Sequence, residues 1–189
     1  MPGKNILITG HPGVGKTTVV QKISDELRDL QPVGFYTLEI REEGKRTGFK
    51  FVSLDGRVGI LAHIGIKSPY RVGKYRVDRE GFESFLDSLN LTYASSSLVL
   101  IDEIGKMECF SGKFISTIED LLRSDKVVVA TVASRGTRFI EEVKKRHDCV
   151  MAEVRNDNRD GLPFELAQRI RLLVDKHTTG SGPEGFGCY

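Results

Sequence analysis

Cysteine is scarce: three occur in 189 residues, Cys109, Cys149 and Cys188. The number is odd and the spacings are too wide for a chelating pair, which argues against a disulfide framework or a zinc site and for a reducing compartment. Long apolar runs are missing as well. Nothing approaches the roughly 18 consecutive apolar residues of a membrane span. The opening stretch "MPGKNILITG" carries no basic leader, no extended apolar segment and no small-residue cleavage site. Charge of one sign is absent too, with 28 Lys and Arg against 26 Asp and Glu. Without a dense cationic block, neither nucleic acid nor a membrane is indicated as a partner. No internal repeat is visible. The composition fits a soluble protein of the cytoplasm, with the nucleus as an alternative.

The length suits one domain. The last residues, "TTGSGPEGFGCY", have no periodicity and are rich in glycine, so a single domain over residues 1–176 and a disordered tail over 177–189 are expected. Within the domain, "NILIT" reads as a short buried strand, and Val20, Ile23, Leu27 and Leu30 mark a helix after it. From Gly34 the texture changes to "GFYTLEIR", "RTGFKFVSL" and "RVGILAHI", separated by the turns "EEGK" and "LDGR". These predict an antiparallel β-meander inserted at about 34–64. The basic connection "IKSPYRVGKYRV" reads as a solvated loop. Asp78 can cap a helix whose Phe82, Phe85, Leu86 and Leu89 share a face.

Farther on, "SSSLVLIDE", "KVVVATV" and "DCVMAEV" read as buried strands. They alternate with a helix near Phe110 to Arg123, a helical "TRFIEEVKKRH" and a last helix with Pro163 in its first turn. Apolar strands without alternation, set between amphipathic helices, require a mostly parallel sheet covered on both faces. The predicted class is α/β.

Between the first strand and the first helix lies "GHPGVGKT", Gly10, His11, Pro12, Gly13, Val14, Gly15, Lys16 and Thr17. Every fixed position of GxxxxGK[ST] is satisfied, in the strand-loop-helix context that the motif's mechanism demands. Bare glycines let backbone amides converge on phosphate oxygens, and the helix start adds its positive end. Lys16 would reach the β and γ phosphates, and the Thr17 hydroxyl would join the shell of a Mg²⁺ ion. A second strand, "LVLIDEIGKME", delivers Asp102 and Glu103 where it should stop, at the carboxyl edge where open α/β sheets bind ligands. Asp102 is then the second metal residue, and Glu103 the carboxylate that polarises a water for attack on the γ phosphate.

Together "TGHPGVGKTT", "GFYTLEIREEGKRTGFKFVSLDG", "VGKYRVD" and "LIDEIGKMECF" resemble, in that order and over roughly residues 5 to 175, the cancer-related nucleoside-triphosphatase family, vertebrate relatives of the thermophile THEP enzymes. The resemblance implies a P-loop NTPase core with an added β-hairpin region. It also implies Mg²⁺-dependent hydrolysis of several nucleoside triphosphates, ATP, GTP, CTP and UTP, to the diphosphate and phosphate. The nucleotide-binding residues implied are the loop through Thr17 and Thr18, and the segment Val99, Leu100, Ile101, Asp102, Glu103, Ile104, Gly105 and Lys106. Lys16, Glu103 and Lys106 are the catalytic candidates, with Lys106 supplying charge stabilisation.

Base recognition is the least legible part. Asn158 and Arg159, in "RNDNRD" after the last strand, are the candidates for contacting a base, and a polar turn is the competing account. Arg71, Arg76, Arg135 and Arg138 stand in loops near the expected mouth, none of them singled out as an arginine finger, so slow turnover is expected. A monomer is expected, and no protein partner is named by the sequence. Two other functions use the same cradle: a nucleotide or small-molecule kinase, and a nucleotide-dependent switch.

Overall fold

Strand β1 (Asn5–Thr9) runs into the glycine loop, and helix α1 (Lys16–Glu26) leaves it. A computed structural model describes residues 3–179 of the chain, with side chains described for 3–176. After a short 3-10 turn, Arg28–Leu30, come β2 (Val33–Glu42), β3 (Lys45–Ser53) and β4 (Val58–His63). Two very short strands, β5 (Arg71–Val72) and β6 (Tyr75–Val77), precede α2 (Arg79–Leu89). The remainder alternates: β7 (Leu98–Ile104), α3 (Gly112–Arg123), β8 (Val127–Val132), α4 (Arg138–Lys144), β9 (Cys149–Glu153) and α5 (Leu162–Thr179).

The nine strands of the described residues form one mixed sheet in the order β5-β6-β4-β3-β2-β7-β8-β1-β9. From β2 through β7, β8 and β1 to β9 neighbours are parallel, and from β2 outward through β3, β4 and β6 to β5 they are antiparallel. The predicted meander is continuous with the core sheet. Strand β2 pairs with β7 along Val33 to Phe35 before turning outward to pair with β3, so the inserted strands extend the core sheet. The basic connection is not a plain loop, since β5 and β6 close a hairpin and β6 pairs with β4.

Apolar residues alternate faces along the central strands, as the two-residue period of a strand requires. Ile6, Ile8, Leu98, Leu100, Val127 and Val129 pack with Val20 and Ile23 of α1 and Ile170 of α5. Leu7, Val99, Ile101, Val128 and Ala130 face the other way, toward Phe82, Phe114 and Ile140. A sheet buried on both faces leaves polar ligands access only at the strand ends.

The predicted cap at Asp78 forms, its carboxylate accepting from the Gly81 amide at 3.0 Å to start α2. Ser111, which the sequence reading does not single out, accepts from the Phe114 amide at 3.0 Å to start α3. Phe110 belongs to a short 3-10 turn, Glu108–Phe110, ahead of α3. Helix α5 runs to Thr179, three residues into the span expected to be a tail, and the rest of that span lies outside the described residues. Among the described residues no helix is long and apolar enough to cross a membrane.

Candidate nucleotide-binding site

The glycine loop occupies the carboxyl end of β1, with Gly15 at φ 109° as the residue before α1. That left-handed conformation suits glycine. Gly10, at φ 150°, packs so closely that a side-chain carbon there would lie 2.7 Å from the Val154 carbonyl oxygen. Lys16 is the first residue of α1, and its ammonium donates to the carbonyl oxygens of Gly10 at 3.2 Å and His11 at 3.4 Å. The cation is thus held over the loop whose amides, with the helix start, favour an anion.

Asp102 stands near the end of β7, and three threonines hold it. Thr17 Oγ1 donates to Asp102 Oδ2 at 2.7 Å, and Thr131 Oγ1 donates to Oδ1 at 2.5 Å. Thr37 donates its amide to Oδ2 at 3.4 Å and its hydroxyl to the Asp102 carbonyl at 2.7 Å. The residue is 2 % exposed. Burial pushes its pKa up, against the pull of the Thr131, Thr17 and Thr37 bonds and of Lys16. Burial likewise raises Glu103, opposed by Lys16 and reinforced by Asp102.

These groups open on one cavity of about 530 Å³, lined by Gly10, Pro12, Gly13, Gly15, Lys16 and Thr17, by Asp102, Glu103, Gly105 and Lys106, and by Met107 and Glu108. Its far wall is the extended sheet, through Thr37, Glu39, Arg46, Phe49, Leu61 and Val72, and Ala133, Ser134 and Arg135 complete the mouth. Thr17 and Asp102 offer hard oxygen donors side by side. They fit a Mg²⁺ ion, which keeps waters and phosphate oxygens for the rest of its shell. Among the described residues no cluster of three or more His, Cys, Asp or Glu could hold a metal by itself.

Several predicted contacts are placed elsewhere. Val99, Leu100, Ile101 and Ile104 are fully buried in the two cores and position Asp102 and Glu103 without lining the cavity. Their strand runs to Ile104, past the expected stop at Asp102, with the register to β8 shifting between Ile101 and Ile104. His11 and Thr18 are exposed and outside the lining, and Val14 packs on the core. Asn158 accepts from the Arg155 amide at 2.8 Å and donates to the Glu153 carbonyl at 2.9 Å, so its amide closes the turn after β9. Neither Asn158 nor Arg159 lines the cavity.

Of the four loop arginines only Arg135 reaches the mouth. Arg76 donates to the Ser68 carbonyl, and Arg138 pairs with Glu142. Arg46 was not singled out in the sequence. It lies over the rings of Phe49 and Tyr75 and bonds to Glu39 at 2.6 Å and the Tyr75 hydroxyl at 2.9 Å. The alternation of β3 hints at its face, and only the pairing of β2 with β7 reveals that this face borders the loop.

Strand order, glycine loop and the Thr17 to Asp102 contact together define a P-loop nucleotide-binding protein. A family described as "NTPase" matches residues 5–167. "Nucleoside-triphosphatase THEP1" of Thermotoga sp. (strain RQ2) is 48% identical over 168 residues, 88% of this chain and 95% of that protein. The mouse "Cancer-related nucleoside-triphosphatase homolog" is 38% identical over 175 residues, covering 84% and 92% respectively. The crystal structure of THEP1 from Aquifex aeolicus superposes with a TM-score of 0.80 at 32% identity, covering 88% of this chain and 98% of that one. The chain belongs to this NTPase family.

Proposed function

We propose that the protein is a Mg²⁺-dependent nucleoside triphosphatase that converts ATP, GTP, CTP and UTP slowly to the diphosphate and phosphate. The observation that carries this reading is the bond between Thr17 and Asp102 beside Glu103, at the loop that holds Lys16. Relatives named as nucleoside-triphosphatases support it. Thr17 and Asp102 would hold the cation, which when bound supplies neutralising charge to the phosphate oxygens.

The loop amides and Lys16 bind and orient the triphosphate. Glu103 takes a proton from water as the water oxygen bonds to the γ phosphorus. The bond from that phosphorus to the β,γ-bridging oxygen breaks, and the nucleoside diphosphate leaves. Lys106, on the cavity wall, offsets charge on the transferred group.

A broad substrate range follows from binding through phosphates, which every nucleoside triphosphate shares. Slow turnover follows from the arginines. Arg46 is engaged by Glu39 and Tyr75, and Arg135 stands at the mouth with no hydrogen bond or ion pair to another of the described residues. One chain supplies every group, so a monomer suffices. The free thiols Cys109 and Cys149 suit the cytoplasm. Phosphate release from the four nucleotides, with Lys16→Ala beside the parent, tests the reading.

A second reading has one observation in its favour. The cavity continues past Glu103 to Arg46, Phe49, Leu61 and Val72, space that an acceptor hydroxyl compound would fill in a kinase. A kinase would release little phosphate until an acceptor is added.

A further inference from the structure

Glu108 begins the 3-10 turn after β7 and is 5 % exposed, yet it lines the nucleotide cavity. A side-chain carbon built on Gly105 would lie 2.6 Å from Glu108 Oε2 and 3.0 Å from Glu103 Oε1. Two carboxyl groups therefore converge over one bare backbone position, both within 3.0 Å of a single point. The charges that bear on the Glu108 carboxyl are the anions Glu103 and Asp102, and the nearby backbone of Gly105 and of Glu108 itself pulls the other way. Adjacent carboxyls in a water-poor site do not both ionise.

The geometry points to Glu108 as a protonated positioning residue, whose O–H holds the Glu103 carboxylate over Gly105 through one bridging water. The inference rests on Glu103 being the group that takes the proton from water. In the reaction the water proton passes to Glu103, and the proton of Glu108 stays where it is. Burial pushes Glu108 up to about 8, so it keeps its proton at neutral pH.

Other charged groups border the same space. They are Asp102 and Glu103 on β7, Lys16 on α1, Lys106 on the intervening turn and Arg135 beyond β8, with Glu39 and Arg46 on the far wall. Glu83 of α2 bonds to Ser111, and Cys109 follows Glu108 in the turn with its thiol pushed up to about 11. Changing Glu108 alone decides which group governs an alkaline fall.

The experiment is the pH dependence of kcat for the full chain and for Glu108→Gln, Glu108→Ala and Glu103→Gln, from about pH 6 to about pH 10. The parent's kcat should fall above about pH 8, as Glu108 ionises and its donor is lost. Glu108→Gln keeps a donor and should lose that fall, with kcat about tenfold above that of Glu108→Ala at neutral pH. A Glu108→Gln profile with the parent's alkaline fall overturns the inference. Full turnover in Glu103→Gln sinks the reading on which it rests, a separate failure. Should the Glu108 variants not fold, a carbon-13 titration of the Glu108 carboxyl in the parent decides the matter. A midpoint near 8 supports the assignment, and an ordinary one near 4.5 overturns it.

Discussion

Thr17 Oγ1 donates to Asp102 Oδ2 at 2.7 Å, joining the first turn of α1 to the end of β7 across 85 positions of sequence. The contact sets two oxygen donors side by side at the mouth of the glycine loop. Removing the hydroxyl with Thr17→Ala should lower kcat/KM by about 10²-fold, while Thr17→Ser, which keeps it, should lose far less. Equal turnover in the two variants, measured at saturating Mg²⁺, would show that the hydroxyl has no part in the reaction.

Glu103 is the base in this account, and a neutral amide of the same shape cannot take the proton. Glu103→Gln should bind nucleotide as the parent does and lose about 10²- to 10⁴-fold in kcat. Calorimetric binding beside single-turnover rates separates the two effects. Near-full turnover would move the role to another group.

Thr131 is fully buried, and its hydroxyl donates to the other Asp102 oxygen. Thr131→Val leaves that oxygen with one donor fewer, at a cost of about 1–3 kcal/mol in stability. Urea denaturation measures it. An unchanged midpoint would mean that the bond contributes nothing net.

Glu108 links stability to pH. Its carboxyl titrates near 4.5 when unfolded and near 8 when folded, so its titration takes nothing from stability below the lower value. Between the two the unfolded state loses its proton while the folded state keeps it, and stability falls as pH rises, with the full loss in place above about 8. Glu108→Gln escapes this loss. Its Tm relative to the parent should rise across that window and level off above it, and a gap that stays constant with pH would contradict the assignment.

The site was legible where chemistry is local. Lys16, Thr17, Asp102 and Glu103 stand in short motifs at the ends of strands whose apolar runs are plain, and the structure brings them together. What was hidden depends on contacts between distant segments. Arg46 and Phe49 reach the cavity because β2 pairs with β7 and carries β3 beside the loop, which no periodicity in β3 announces. Strands β5 and β6, of two and three residues, are too short to show a pattern and form by pairing with each other and with β4. Glu108 reads as an ordinary turn acid, and its burial follows from the gap that Gly105 leaves. Val99 to Ile101 sit beside motif residues in sequence, yet their strand faces point into two apolar cores.

The most direct test is phosphate release from ATP, GTP, CTP and UTP with Mg²⁺ and no acceptor, by the parent and by Lys16→Ala. The account predicts release from all four at well under about 10 per second, and its loss in the variant. No release from a parent protein that still binds nucleotide would contradict it.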